Sequence, residues 1–200
     1  MRGFYLGLEG GEGAGKSTVA GLLTARFEGR GRSVVRVREP GGTGLGEEIR
    51  RLLLHTDDMS PWAEVALFAA GRAQLVEEVV RDALGSGAIV ISDRTYFSSV
   101  AYQGHARGLG LETVRVLNET VLAGTVPDLV VVIDLDPETG IIRQTTADRI
   151  GAEGIEFQRK VREGYLLIAA DRPGSIIVVA GSQTPEAITT AIETEVLSRW

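Results

Sequence analysis

The chain has 200 residues, of which 44% are hydrophobic and 24% charged, enough for one α/β domain with a buried core. A formal net charge of −6 argues against a nucleic-acid polymer as main partner, because such binding needs basic surface. The absence of cysteine excludes disulfides and thiolate metal sites.

The first apolar run, residues 4–8, reads as a buried strand, and residues 16–28 read as a helix. Between them Gly10-Gly11-Glu12-Gly13-Ala14-Gly15-Lys16-Ser17 fits G-x-x-x-x-G-K-[ST]. The strand–loop–helix setting separates a working phosphate loop from a chance match. Glycines let backbone N–H groups converge on phosphate oxygens, and the following helix turns its positive end toward the same anion. Lys16 can reach terminal phosphates, and the Ser17 hydroxyl can ligate magnesium. A guanine-specific GTPase would add an N-K-x-D element, and none occurs. No basic segment followed by a long apolar run opens the chain, so no signal peptide is expected, and no run approaches membrane-spanning length.

A second strand, residues 33–37, leads into Arg38-Glu39-Pro40-Gly41-Gly42-Thr43, which taken alone is equally well a tight turn. Helices follow at 45–55 and 62–84, with Ser60 and Pro61 placed as N-cap and first turn. Gly29 and Gly85 stand where helices should stop. Inside the long helix, Phe68 alone reads as a core ring and Arg72 alone as a solvated charge. The third strand, 88–91, runs into Asp93-Arg94-Thr95-Tyr96. Ligand groups collect at the carboxyl ends of strands in open α/β sheets. There Asp93 can hold magnesium or its water, and Arg94 can contact a transferring phosphate; a surface ion pair is the plain alternative. A helix at 111–123, a strand at 129–135, a helix at 155–170, a strand at 175–179 and a helix at 185–199 complete the chain. Thr184 and Pro185 repeat the start signal. Near-continuous apolarity predicts that the last three strands are covered on both faces. The alternation gives an α/β fold: one doubly wound domain over 1–200, about five parallel strands with helices on both faces. His55 and His105 form no metal cluster and read as helix-end or surface residues.

The blocks EGGEGAGKST at 9–18, REPGGT at 38–43, LFAAGRAQ at 67–74, DRTYFSSVAYQG at 93–104 and DRI at 148–150 together resemble the thymidylate kinases in order and spacing. The resemblance covers essentially the whole chain. It implies a phosphate-loop kinase fold and ATP-dependent phosphorylation of dTMP to dTDP in dTTP synthesis. It also implies a magnesium cofactor, a cytoplasmic homodimer, and small nucleotides as partners rather than nucleic acid or membrane.

Carried over by position, the resemblance assigns Gly10, Gly11, Glu12, Gly13, Ala14, Gly15, Lys16, Ser17 and Thr18 to the ATP phosphates. Ser17, Asp93 and Glu39 would lie at the metal. Phe68 would stack on thymine and Arg72 would hydrogen-bond its O4 edge, work suited to an aromatic ring and a planar guanidinium. Tyr102 and Gln103 would lie near sugar and base, with Ser99 close by, and Arg94 and Arg50 would bind the acceptor phosphate. Glu39 would approach the acceptor, before a cis bond to Pro40, and Glu12 would approach it from the phosphate loop.

The resemblance also places a transfer arginine either at the position of Gly13 or in a mobile lid, here around 140–153. Gly13 puts this chain with the lid-dependent members, yet no arginine lies between Arg143 and Arg149. Arg143 resembles the residue that packs on adenine. That leaves Arg149, with Lys16, Arg94 and Glu12, as the catalytic set; Gly151 replaces a commonly acidic residue. Two alternatives stand beside this reading. One is a kinase of UMP or CMP, disfavoured by the Phe68/Arg72 and Tyr102/Gln103 pairs. The other is a catalytically weak nucleotide-binding module, favoured by the short lid.

Overall fold

Five β-branched and aliphatic runs pair into a single all-parallel sheet in the order β2-β3-β1-β4-β5. The strands are β1 (Phe4–Glu9), β2 (Val34–Arg38), β3 (Ile89–Asp93), β4 (Leu129–Asp134) and β5 (Ile176–Ala180). The computed structural model describes residues 2–56, 58–143 and 149–200. Its helices are α1 (Lys16–Gly29), α2 (Gly44–His55), α3 (Pro61–Leu75), α4 (Arg81–Gly85), α5 (Tyr96–Ser99), α6 (Leu111–Leu122), α7 (Pro137–Arg143), α8 (Ile155–Asp171) and α9 (Pro185–Arg199).

The period of two along β1 divides the core. Phe4, Leu6 and Leu8 face Val19, Leu23 and Phe27 of α1 and Ile188, Ile192 and Val196 of α9. Tyr5 belongs to the other layer, with Val65 and Leu75 of α3 and Val161 and Tyr165 of α8. The register sets Leu8 beside Asp93, and Asp93 beside Arg38. The carboxyl ends of β1, β2 and β3 therefore open at one edge, where the phosphate loop and both acidic–arginine motifs begin.

Ser60 and Thr184 accept from the backbone N–H groups of Ala63 and Ala187, so both expected caps are present. The expected helix 62–84 is α3, a π-helical segment Val76–Val80, and α4. Burial on both faces holds for β3 and β4. It fails for β5, whose Val178 is 45% exposed, because β5 is an edge strand with one end uncovered.

Two helices go beyond the predicted set. One is α5, continued by a π-helical segment Val100–Ala106; from Tyr96 to Gly104 every residue is buried, so no polar face marks a helical period. The other is α7, whose start is capped by Asp136 accepting from the N–H groups of Glu138 and Thr139.

Candidate active site

Gly15 sits at φ 89°, a left-handed conformation that glycine adopts without strain, and hands the loop to α1. The Lys16 ammonium folds back to donate to the carbonyls of Gly10 at 3.1 Å and Gly11 at 2.8 Å. Burial pushes its pKa down to about 8, helped by Arg94 and opposed by Glu12, Asp93 and Glu9. Beside it the Ser17 hydroxyl donates to Asp93 Oδ2 at 2.5 Å. A hydroxyl and a carboxylate in contact at the mouth of a phosphate loop are hard oxygen donors, the kind that magnesium takes.

Gly13, at φ 67°, has a second constraint. A Cβ there would fall on the carbonyl of Gly140 in α7, and one on Gly140 would fall on the carbonyl of Glu12. The loop and α7 meet backbone to backbone, so no arginine fits at position 13 unless α7 shifts.

Arg94 ties the phosphate loop to α5 and α8. Its backbone is held at φ 74°, costly for a side chain with a Cβ and typical of sites where neighbours fix geometry. Its guanidinium donates to Glu12 Oε1 at 2.7 Å, to the Gly10 carbonyl at 3.2 Å, and to the hydroxyls of Ser98 and Tyr165. The Tyr102 hydroxyl donates to the same Glu12 oxygen at 3.1 Å. Burial opposes ionisation of Glu12, but Arg94, Lys16 and Tyr102 outweigh it and hold the carboxyl below its ordinary value. Glu12 is therefore engaged rather than a free loop charge, and Asp93 with Arg94 is not a surface pair.

One cavity of about 770 Å³ unites these groups. Its wall includes the loop from Glu12 to Thr18, Asp93 and Arg94, together with Glu39, Pro40, Arg50, Phe68, Ser99, Tyr102, Gln103 and Arg143. Phe68 is half-buried and also packs on the core, so it serves both readings. The Glu39–Pro40 bond is cis. Arg50 donates to the Pro40 carbonyl at 2.8 Å, and Arg143 reaches the Gly181 carbonyl at 3.5 Å.

Among the residues expected at the ligands, Gly10, Gly11, Arg72 and Arg149 do not line this cavity. Arg72 is no solvated charge: it is 2% exposed and forms a 2.5 Å ion pair with Glu39 Oε2. It also donates to Ser99, Asn118 and the Thr95 carbonyl. Burial pushes the Glu39 carboxyl up to about 7, against the pull of Arg72. Arg149 donates to the Leu53 carbonyl at 2.9 Å and to Glu64 Oε2 at 2.5 Å. Residues 144–148 of the expected lid lie outside the described residues. His55 ends α2, and His105 pairs with Glu163.

Glu9 and Glu64 are buried carboxylates that are not among the expected site residues. Glu9 accepts from the backbone N–H and hydroxyl groups of both Thr95 and Ser98, and from the Tyr165 hydroxyl, and so anchors the start of α5. The signal available was an acidic residue ending a wholly apolar strand, which is placed there only if satisfied. Glu64 gathers Gln103, Arg107 and Arg149, and nothing local announces it.

A family model described as thymidylate kinase matches residues 8–192. A thymidylate kinase of Leifsonia xyli subsp. xyli is 47% identical over 195 residues, covering 95% of this chain and 92% of the relative. One from Caldanaerobacter subterraneus subsp. tengcongensis is 44% identical, covering 94% and 92%. One from Synechococcus sp. (strain JA-3-3Ab) is also 44% identical, covering 90% and 89%.

Proposed function

We propose how individual residues act in this chain, which belongs to the thymidylate kinase family and phosphorylates dTMP with ATP as donor. The observation that carries the assignment is the single cavity joining Lys16 and Ser17 to Phe68, Arg94, Tyr102 and Gln103. Donor phosphates lie on the N–H groups of the loop, and Lys16 exchanges the Gly10 and Gly11 carbonyls for phosphate oxygens. The base of dTMP stacks on Phe68. Its phosphate lies against Arg94, with Arg50 close by, while Glu12 and Tyr102 hold the Arg94 guanidinium in orientation. A phosphate monoester has a second pKa of about 6, so at neutral pH its oxygen attacks as the dianion and needs no general base. Catalysis is then alignment of the two nucleotides and neutralisation of charge on the moving group.

The pair Ser17 and Asp93 fits magnesium, which when bound would neutralise charge on the donor phosphates. Glu39 we assign to holding Arg72, since its carboxylate is paired there. That pair, with the bonds to Ser99, Asn118 and the Thr95 carbonyl, holds Arg72 behind the cavity wall, so meeting the O4 side of the base would require the guanidinium to shift. The cytoplasmic location also belongs to this reading; no helix among the described residues is long and apolar enough to cross a membrane. So does a homodimer, in which exposed Trp62 of α3 and Leu52 of α2 would meet a second copy. Neither UMP/CMP specificity nor an inactive module is favoured by the family.

The lid assignment is the most exposed to test. Arg149 would have to leave Glu64 and Leu53 to stabilise the transferring group, somewhere within the lid of 140–153. Arg149→Ala is expected to lower kcat about a hundredfold with little change in either KM, the pattern of an interaction made in the transition state. Steady-state kinetics decide it. An unchanged kcat with a lowered melting temperature would restrict Arg149 to its Glu64 ion pair.

A further inference from the structure

Glu64 in α3 is 0% exposed, and three side chains donate to its carboxylate. Its Oε1 accepts from Gln103 Nε2 at 2.8 Å and from Arg107 Nε at 2.7 Å. Its Oε2 accepts from Arg107 Nη2 at 3.0 Å and from Arg149 Nη2 at 2.5 Å. Burial opposes its ionisation, but the hydrogen bonds from Arg107, Arg149 and Gln103 hold the carboxyl below its ordinary value. An ionised carboxylate can only accept. Gln103 must therefore turn its NH₂ to Glu64, and the amide cannot flip without setting oxygen against oxygen.

Gln103 itself is 1% exposed and lines the cavity, yet among the described residues its Oε1 has no hydrogen-bond partner. A buried amide oxygen left unmatched is costly unless a ligand supplies the donor. Thymine offers such a donor, its N3–H; cytosine presents a bare N3 acceptor at the same place. We propose that Glu64 is a positioning residue for base recognition, orienting the Gln103 amide so that its oxygen accepts N3–H of thymine and repels N3 of cytosine. The inference rests on the placement of the acceptor base beside Phe68 and Gln103. It adds to that placement a fixed sense for the amide and the group that fixes it.

Glu64→Gln removes the constraint at constant shape, because the new amide can donate to Gln103 Oε1 and allow the flipped state. Steady-state kinetics with dTMP, dUMP and dCMP test the consequence. In Glu64→Gln the kcat/KM ratio of dTMP to dCMP should fall at least about tenfold, mainly through the KM for dTMP. The ratio of dTMP to dUMP should hold, since both bases carry N3–H, and the KM for ATP should hold as well. A merely structural role would lower all acceptors alike. Gln103→Leu should lose the same discrimination, and Glu64→Gln should then add nothing to it, as expected when one residue acts through the other.

If the wild type does not prefer dTMP to dCMP, or Gln103→Leu keeps that preference, the base has been misplaced and the proposal falls with the site assignment. If both behave as expected but Glu64→Gln keeps the wild-type ratio, the role of Glu64 alone is overturned. A structure of the wild-type protein with dTMP reads the contact independently of any variant. Gln103 should lie within hydrogen-bond distance of N3 with its other amide atom still on Glu64; N3 met by water or another side chain overturns the proposal.

Discussion

Lys16→Ala is expected to lower kcat about a thousandfold while the protein stays folded. The ammonium donates to two carbonyls of its own loop, so its removal frees acceptors that solvent and the neighbouring N–H groups can satisfy. In the transition state no such replacement exists. Charge spreads over the oxygens of the moving phosphoryl group, and a fixed cation in a partly water-excluded site contributes several kcal/mol there, roughly a thousandfold in rate. Burial brings a second consequence. With its pKa pushed down to about 8, Lys16 of the nucleotide-free protein loses its charge as pH rises through that value. Because kcat/KM reports the free enzyme, kcat/KM for ATP should decline above about pH 8 in the wild type. Arginine at position 16 should shift that decline upward if it is tolerated. Near-normal turnover in Lys16→Ala, measured by coupled ADP release, would remove the phosphate-loop assignment.

Arg94→Ala should be comparably damaging, and on the other substrate. The guanidinium is in contact with Glu12 and Gly10 of the phosphate loop and lies 5.2 Å from the centre of the Tyr102 ring. In the proposed reading the donor and acceptor phosphates approach each other beside it. Its loss should reduce kcat/KM for dTMP about a thousandfold, the upper range for one preorganised donor. The KM for ATP should change far less. Arg94→Lys should recover little, because a point charge cannot hold Glu12 and a phosphate with the geometry of a guanidinium fork. Folding is checked by the thermal midpoint, since removing Arg94 leaves Glu12 without its ion-pair partner. A variant that keeps its affinity for dTMP and its turnover would place the acceptor phosphate elsewhere.

What the sequence made legible was local. Every strand was found to within two residues, because β-branched runs bounded by glycine and polar residues announce themselves over a few positions. The phosphate loop was legible for the same reason: its chemistry is built from eight consecutive residues. Cavity-lining Asp93 and Arg94 are legible from their place after a strand, whereas Phe68, Tyr102 and Gln103 enter as ligand residues only through the family resemblance. The losses were of contacts between distant segments. Arg72 alone reads as a surface charge because Glu39 and Asn118, its partners, are 33 and 46 residues away. Glu9 and Glu64 are silent because their donors lie up to 156 and 85 residues off. Segment α5 hid for another reason. Burial on all sides erases the polar face from which a helix is read, and Thr95, which caps it by accepting from Phe97, sits inside a motif read for phosphate chemistry.

Glycine shows both sides of this limit. Gly13 was read as the mark of a lid-dependent transfer arginine, and the fold adds a steric cause, the backbone of Gly140 pressed against the loop. That cause could not be read from either glycine, because 127 positions separate 13 from 140. Elimination leaves Arg149 as the expected lid arginine; its ion pair with Glu64 is a contact that nothing in the sequence indicates.

The most direct test of the central claim is ADP release by the wild-type protein with ATP and magnesium across a panel of monophosphates: dTMP, dUMP, dCMP, UMP and CMP. One cavity lined by the phosphate loop at Lys16 and Ser17 and by Phe68 and Gln103, the thymine platform proposed above, predicts release strongly dependent on dTMP. It further predicts slower turnover of dUMP and the weakest of the cytosine nucleotides. ADP release that ignores the acceptor, or that favours UMP or CMP over dTMP, would contradict it.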